Sequence, residues 1–194
     1  VDATTSPTFL LVETAVATAH APGLDESTLP ASDLVSRDFR DALGSFATGV
    51  TVLTALAPDG ELIGLTISSF NSVSLNPPLI LWSLSRDSPR LKAFRGASHY
   101  AVNVLAADQQ VISDAFASRD EDRFGNVRVR RGLADIPLIE GCAAWFECAN
   151  ETQYPGGDHL IFIGRVERFQ CGATGDPLIF HAGRYRQLRA DADG

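Results

Sequence analysis

From Val50 to His181 the sequence is a succession of short β-branched or apolar runs, each closed within a few residues by Gly, Pro, Asn or Asp. Val50–Leu56 and Leu62–Ser69 flank the turn Pro58-Asp59-Gly60 and read as a hairpin. Leu79–Leu84, Tyr100–Leu105, Cys142–Gln153, Leu160–Gln170 and Pro177–His181 read as further strands. Pro77-Pro78 separates the first of these from the Ser-rich stretch Ser68–Ser74, expected as a polar loop, and Tyr154-Pro155-Gly156-Gly157-Asp158-His159 is expected to join the two long strands. Short helices are expected after Ser32-Asp33, with Leu34, Val35, Phe39, Leu43 and Phe46 on one face; near Arg90–Phe94, after Ser88-Pro89; and over Asp108–Phe116, with Val111, Ile112, Ala115 and Phe116 on one face. About six or seven short strands with a few short helices make a mainly β, α+β chain and favour a closed or split antiparallel barrel over a doubly wound sheet. No GxGxxG follows a strand and no GxxxxGK[ST] loop occurs, which disfavours a Rossmann fold and a P-loop.

Charge narrows the function classes. Sixteen Lys and Arg against 24 Asp and Glu give a net charge of -8, which opposes the phosphate neutralisation that drives nucleic-acid binding. The local cluster Arg128, Arg130 and Arg131 reads as solvated surface, and Asp120–Phe124 as a charged segment leading away from the third helix. Three cysteines, Cys142, Cys148 and Cys171, without CxxC spacing suggest neither a disulfide framework nor a zinc ribbon, and a reducing cytoplasmic setting fits them. Four dispersed histidines form no local metal signature. Apolar runs stop well short of the ~18 to 20 residues of a membrane span, so no membrane role is expected. Residues 1–32 carry no Lys or Arg and read as an extension or arm rather than a secretory signal, leaving 33–190 as the domain.

The chemistry concentrates in Gly64-Leu65-Thr66-Ile67-Ser68-Ser69-Phe70-Asn71-Ser72-Val73-Ser74-Leu75-Asn76-Pro77-Pro78, where hydroxyls and amides crowd between apolar strands. Buried polar groups need partners, and either a polar ligand or the segment's own backbone can supply them. Together with Phe39-Arg40, Phe46-Ala47-Thr48-Gly49-Val50-Thr51-Val52, Ala101-Val102-Asn103-Val104-Leu105, Gly157-Asp158-His159 and Gly183-Arg184-Tyr185, this spelling resembles the flavin reductase-like family, small NAD(P)H:flavin oxidoreductases that serve two-component monooxygenases.

The resemblance implies an FMN-binding split barrel that pairs as a homodimer, with FMN or FAD near the subunit interface and NADH or NADPH as reductant. It implies that Thr66, Ile67, Ser68 and Ser69 lie along the flavin ring, that Ser72 and Ser74 serve the ribityl chain or phosphate, and that Ser85, Arg86 and Ser88 meet the phosphate, for which Ser and Arg are suitable chemistry. Phe116 and Ala117, with Ser118, match a further flavin-side segment. His159 matches the position that looks toward the nicotinamide, and Tyr185, with Arg184, closes the same pocket. No catalytic acid or base is required, because the cofactors carry the chemistry. Relatives often have Ala or Asn where this chain has Ser68-Ser69, so the flavin-edge hydrogen bonds are expected to differ. The expected activity is hydride transfer from NAD(P)H to flavin and supply of reduced flavin to a partner monooxygenase. The alternatives are a flavin-binding module without turnover and a flavoprotein that retains FMN and reduces another small substrate. Arg123, Arg128 and Arg165 are the cations available by charge for an NADPH 2′-phosphate.

Overall fold

The computed structural model describes residues 38–118, 122–173 and 175–188. The chain divides into Val1–Phe39 and Arg40–Gly194, and the second unit holds every strand described below. The expected arm, the helix start at Ser32-Asp33 with Leu34 and Val35, and part of the charged segment at 120–124 lie outside the described residues.

Elements follow in chain order: α1 (Asp38–Gly44), β1 (Thr48–Gly49), β2 (Thr51–Leu56), β3 (Leu62–Ile67), β4 (Asn71–Leu75), β5 (Pro78–Ser85), α2 (Leu91–Gly96), β6 (His99–Val104), α3 (Gln110–Ala117), β7 (Val129–Arg131), β8 (Pro137–Ile139), β9 (Ala144–Gly156), β10 (His159–Cys171), β11 (Ile179–His181) and β12 (Arg184–Arg186). Twelve strands among the described residues exceed the six or seven expected, because β1, β7, β8 and β12 are two- or three-residue pairings too short to leave a periodic signature and β4 falls in the stretch expected as a loop. Seven strands form one sheet in the order β3-β2-β6-β9-β10-β5-β4, every pair antiparallel.

That order dictates the shape. Laid flat, seven strands at about 4.8 Å spacing would set β3 and β4 roughly 29 Å apart. Yet β3 and β4 are consecutive in the chain, and only Ser68, Ser69 and Phe70 lie between them. Four Cα steps reach about 14 Å at most. The sheet therefore curls until its edges nearly meet, a barrel left open along Ser68–Phe70. This is the split antiparallel barrel expected from the strand spacing.

Burial on β2 shows where the core sits. Thr51–Ala55 are all buried, and alternate residues face opposite ways: Leu53 and Ala55 join the barrel interior with Trp82, Phe94, Tyr100 and Phe162, while Val50 and Val52 join an outer cluster with Leu105, Phe116, Ile136 and Leu138. Within the barrel Trp82 stacks on Phe162 at 4.1 Å and meets Phe94 and Tyr100 edge-on. Beneath α3, Gly64 makes room for a neighbour: a Cβ there would stand 2.4 Å from the Phe116 ring.

Several expectations change. Ser68–Ser74 is not one loop, since Asn71–Leu75 pairs with β5 as an edge strand. The β9–β10 connection shrinks to Gly157-Asp158, with Tyr154, Pro155 and Gly156 inside the ladder. Gly157 at φ 67° supplies the positive φ that the first position of a tight two-residue turn requires. Phe39, Leu43 and Phe46 are exposed rather than packed, because spacing tells which residues share a face and not whether anything covers it. Of the apolar face expected on α3, Val111 is exposed, Ile112 and Ala115 are half-buried and Phe116 is buried, and Ser113 is buried beside them, so the helix presents a polar atom to the interior. Ser88 caps no helix directly: its hydroxyl accepts from the Arg90 amide at 3.3 Å, and α2 starts at Leu91. No helix of the described residues is long and apolar enough to cross a membrane.

Candidate functional site

At the end of β3, on the side of the outer cluster, α3, β3, β11 and β12 enclose a cleft of about 190 Å³ lined by Val50, Thr66, Ile67, Ser68, Ser113, Ala117, Phe180 and Tyr185. Five of the thirteen sequence-expected residues meet here: Thr66, Ile67, Ser68, Ala117 and Tyr185. Phe116 lies beneath, 1% exposed, with its ring against Gly64 and edge-on to Phe124 at 4.9 Å. It supports the cleft without lining it. Val50, Ser113 and Phe180 were not foreseen. The only signal for Ser113 was a hydroxyl on the apolar side of a helix, and Phe180 stood on a strand too short to orient by period.

The walls differ in chemistry. Phe180 and Tyr185 meet edge-on at 5.5 Å and, with Val50 and Ile67, give apolar surface. The polar rim is β3's end. Thr66 donates its hydroxyl to the Ser113 carbonyl at 2.7 Å, so only its lone pairs face a ligand. Ser68 is exposed and makes no side-chain hydrogen bond among the described residues, which leaves its hydroxyl available. Ser69 turns away: its hydroxyl accepts from the Ser83 amide at 3.0 Å and donates to the Ser83 carbonyl at 3.1 Å, tying the seam to β5. The crowding of hydroxyls is thus partly satisfied by the protein itself.

Tyr185 is held at its oxygen. It donates to Asp114 Oδ1 at 2.8 Å and lies 2.9 Å from Ser113 Oγ. Desolvation raises its phenol above the ordinary value, the Ser113 hydrogen bond opposing the shift and the Asp114 carboxylate adding to it.

A second group forms at the β5–β10 end, where His159 stands opposite Ser85. The Arg86 amide donates to the Asp158 carbonyl at 2.9 Å, and Arg86 Nε to the His159 carbonyl at 3.4 Å. Ser85 accepts from the Asp87 amide at 3.2 Å, which fixes its oxygen while leaving its proton to donate. His159 Nδ1 lies 2.8 Å from Asp158 Oδ1, and this bond holds Asp158 below the usual carboxylate range, the histidine's charge adding to the effect. With Nδ1 turned to Asp158, Nε2 is the ring nitrogen left for a ligand on a half-exposed side chain. Ser85, Arg86, Ser88 and His159 therefore assemble, but not within the cleft. Ser69 links the two groups through Ser83, two residues before Ser85. Ser72 and Ser74 sit on the edge strand β4, opposite Ile80 and Leu79.

Two of the cations weighed for a 2′-phosphate are committed elsewhere. Arg123 is buried, its guanidinium donating to the carbonyls of Gly64 at 3.1 Å, Phe116 at 3.5 Å and Ser118. The charged segment that contains it therefore runs partly inward rather than away. Arg165 pairs with Glu151 at 2.8 Å and Glu167 at 3.6 Å. A larger cleft of about 470 Å³, lined in part by Glu61, Arg90 and Arg123, contains none of the thirteen expected residues.

An apolar slot with a hydroxyl rim has the make-up of a site for flat heteroaromatic ligands, and known proteins share the chain's sequence and fold. The FMN reductase (NADH) SmoA of Agrobacterium fabrum is 46% identical over 150 residues, which cover 77% of this chain and 84% of that protein. The reductase component of the flavin-dependent trigonelline monooxygenase of Acinetobacter baylyi is 43% identical over 77% of this chain, which spans 48% of that relative's length. Among solved structures, the NADH:FAD oxidoreductase of Streptomyces globisporus, in complex with NAD and FAD fragments, superposes with a TM-score of 0.76 at 38% identity, covering 80% of this chain and 93% of that one. The flavin reductase like domain matches residues 43–189, from the end of α1 past β12 and across the whole barrel, and the chain belongs to that family.

Proposed function

We propose that the chain is an NAD(P)H:flavin oxidoreductase that passes hydride to FMN, or to FAD, and releases the reduced flavin to a separate flavin-dependent monooxygenase. The observation that carries this reading is the cleft, in which Val50, Ile67, Phe180 and the Tyr185 ring suit an isoalloxazine plane and Ser68, with the backbone around it, suits its polar edge. When bound, flavin supplies the hydride-accepting chemistry. The chain's own residues bind and orient: Ser68 and the lone pairs of Thr66 engage the polar edge, Ser85, Arg86 and Ser88 serve the phosphate, and His159, turned by Asp158, meets the nicotinamide. NADH is the favoured reductant, because Arg123 and Arg165 are committed and Asp158, bonded to His159, opposes a 2′-phosphate.

The working unit is a homodimer of residues 33–190 in the cytoplasm, with residues 1–32 as an arm. Three free cysteines support the compartment. At about 190 Å³ the cleft falls below the ~300–1,000 Å³ typical of a ligand pocket, which supports a second copy completing it. The edge strand β4, with Val73 47% and Leu75 86% exposed, is an apolar unpaired edge of the kind that a partner covers. Names among the relatives support the monooxygenase partner.

The test is an absorbance titration of the purified protein with FMN and FAD, followed by NADH or NADPH under air. Nicotinamide loss that requires added flavin and is faster with NADH is the expected result. Tight flavin binding without nicotinamide loss would replace the reductase reading with a binding module.

A further inference from the structure

Ser113 is a buried serine that touches both sides of the cleft. Its carbonyl receives the Thr66 hydroxyl from β3 at 2.7 Å, and its own hydroxyl lies 2.9 Å from Tyr185 Oη on β12. Tyr185 has one proton and donates it to Asp114 Oδ1 at 2.8 Å. Ser113 must therefore be the donor to Tyr185. Ser113 is wholly buried and Asp114 is exposed, so the chain of bonds runs from beneath the cleft out to solvent through the phenol oxygen.

The consequence lies in what Tyr185 has left to offer. Its oxygen accepts one hydrogen bond and gives one, the second charge-assisted, and its ring is braced edge-on by Phe180. On a strand of only three residues, a tyrosine without these bonds would be free to rotate about χ1. We propose that Ser113 and Asp114 are positioning residues for flavin: together they fix the Tyr185 ring at a set distance from the Thr66 wall, so that Tyr185 meets the ligand with its face and not with its hydroxyl. This rests on the reading of the cleft as the flavin site. Holding the slot at its working width in advance removes an ordering cost that binding would otherwise bear.

The experiment compares Ser113→Ala, Asp114→Ala, Asp114→Asn and Tyr185→Phe, measuring FMN dissociation by fluorescence quenching, KM for FMN and for NADH, kcat, and thermal melting. Ser113→Ala and Asp114→Ala are each expected to weaken FMN binding roughly three- to tenfold, the effect of losing one hydrogen bond, and Tyr185→Phe, which loses both, by at least as much. The flavin KM rises more than kcat falls, and the NADH KM moves less than twofold. Asp114→Asn, which keeps an acceptor oxygen, restores most of the loss. Ser113→Ala combined with Tyr185→Phe costs little more than Tyr185→Phe alone, because the phenylalanine already lacks the bond to Ser113. A purely structural role would instead lower the melting temperature while leaving the FMN dissociation constant in place, and that result overturns the proposal. Loss of binding in Tyr185→Phe with Ser113→Ala and Asp114→Ala unchanged also overturns it, since the hydroxyl would then contact flavin directly. If the unsubstituted protein turns over NADH with FMN but none of the variants changes FMN affinity, the positioning role fails and the reductase reading survives. If the unsubstituted protein neither binds FMN nor oxidises NADH, the reading itself fails.

Discussion

Ser69 bonds both backbone groups of Ser83, accepting from the amide at 3.0 Å and donating to the carbonyl at 3.1 Å. One side chain thus stands in for a strand partner at the place where β3 and β4 do not pair. Ser69→Ala leaves both Ser83 groups without that partner in a half-buried setting and should cost about 1 kcal/mol. Urea unfolding monitored by tryptophan fluorescence checks it, and an unchanged midpoint would mean that water replaces the hydroxyl at no cost.

Gly64 and Phe116 are matched in volume. Gly64→Ala drives a methyl into the Phe116 ring, with the Leu53 carbonyl 3.2 Å away on another side, and Phe116 has no exposed route of escape. Overpacking of this kind costs about 1–3 kcal/mol. Gly64→Ala with Phe116→Leu should recover part of the loss relative to the sum of the single changes, a coupling that a four-variant denaturation cycle measures.

His159→Ala should raise the NADH KM several-fold while changing flavin affinity less, consistent with a residue that binds the nicotinamide. The pH dependence of its support follows from Asp158. That carboxyl is held below 3.8 by the hydrogen bond from His159, so the contact is complete above the ordinary Asp value and is lost only as pH falls through the lowered one. Carbon-13 titration of the Asp158 carboxyl should give a midpoint under 3.8, moving back to the ordinary value in His159→Ala.

The cysteines divide by burial. Cys142 and Cys148 are buried, and desolvation pushes both thiols up to about 12, while Cys171 is exposed. A thiol reagent at neutral pH should label one cysteine in the folded protein and three after unfolding. A raised thiol value means that the folded state keeps protons which the unfolded chain releases. Stability from this source is therefore complete below about pH 9 and declines between 9 and 12. Cys148→Ala should flatten that decline in a series of melts at increasing pH.

The hairpins were legible in the sequence because alternation, turn residues and strand length agree, as at Val50–Leu56, Pro58-Asp59-Gly60 and Leu62–Ile67. The edge strand Asn71–Leu75 was not, since both its faces are largely exposed and no apolar period survives. Arg123 read as part of a charged segment leading away from the third helix because the carbonyls of Gly64, Phe116 and Ser118 that hold it are backbone atoms, which residue types do not reveal. Ser113 and Asp114 went unnoticed for a related reason. Their partner Tyr185 is some seventy positions away on a three-residue strand, and only the folded chain brings them together.

Ser68, Ser69 and Phe70 give the barrel an unusual kind of closure. A fully paired barrel has its circumference set by strand number and stagger, whereas here the last gap is bridged covalently and its width is limited by the length of three residues. Lengthening that bridge by one residue would let the two edges part without breaking a single ladder bond, and shortening it would pull them together. The span between the two sheet edges is thus set by one short connection, independently of the seven-strand ladder.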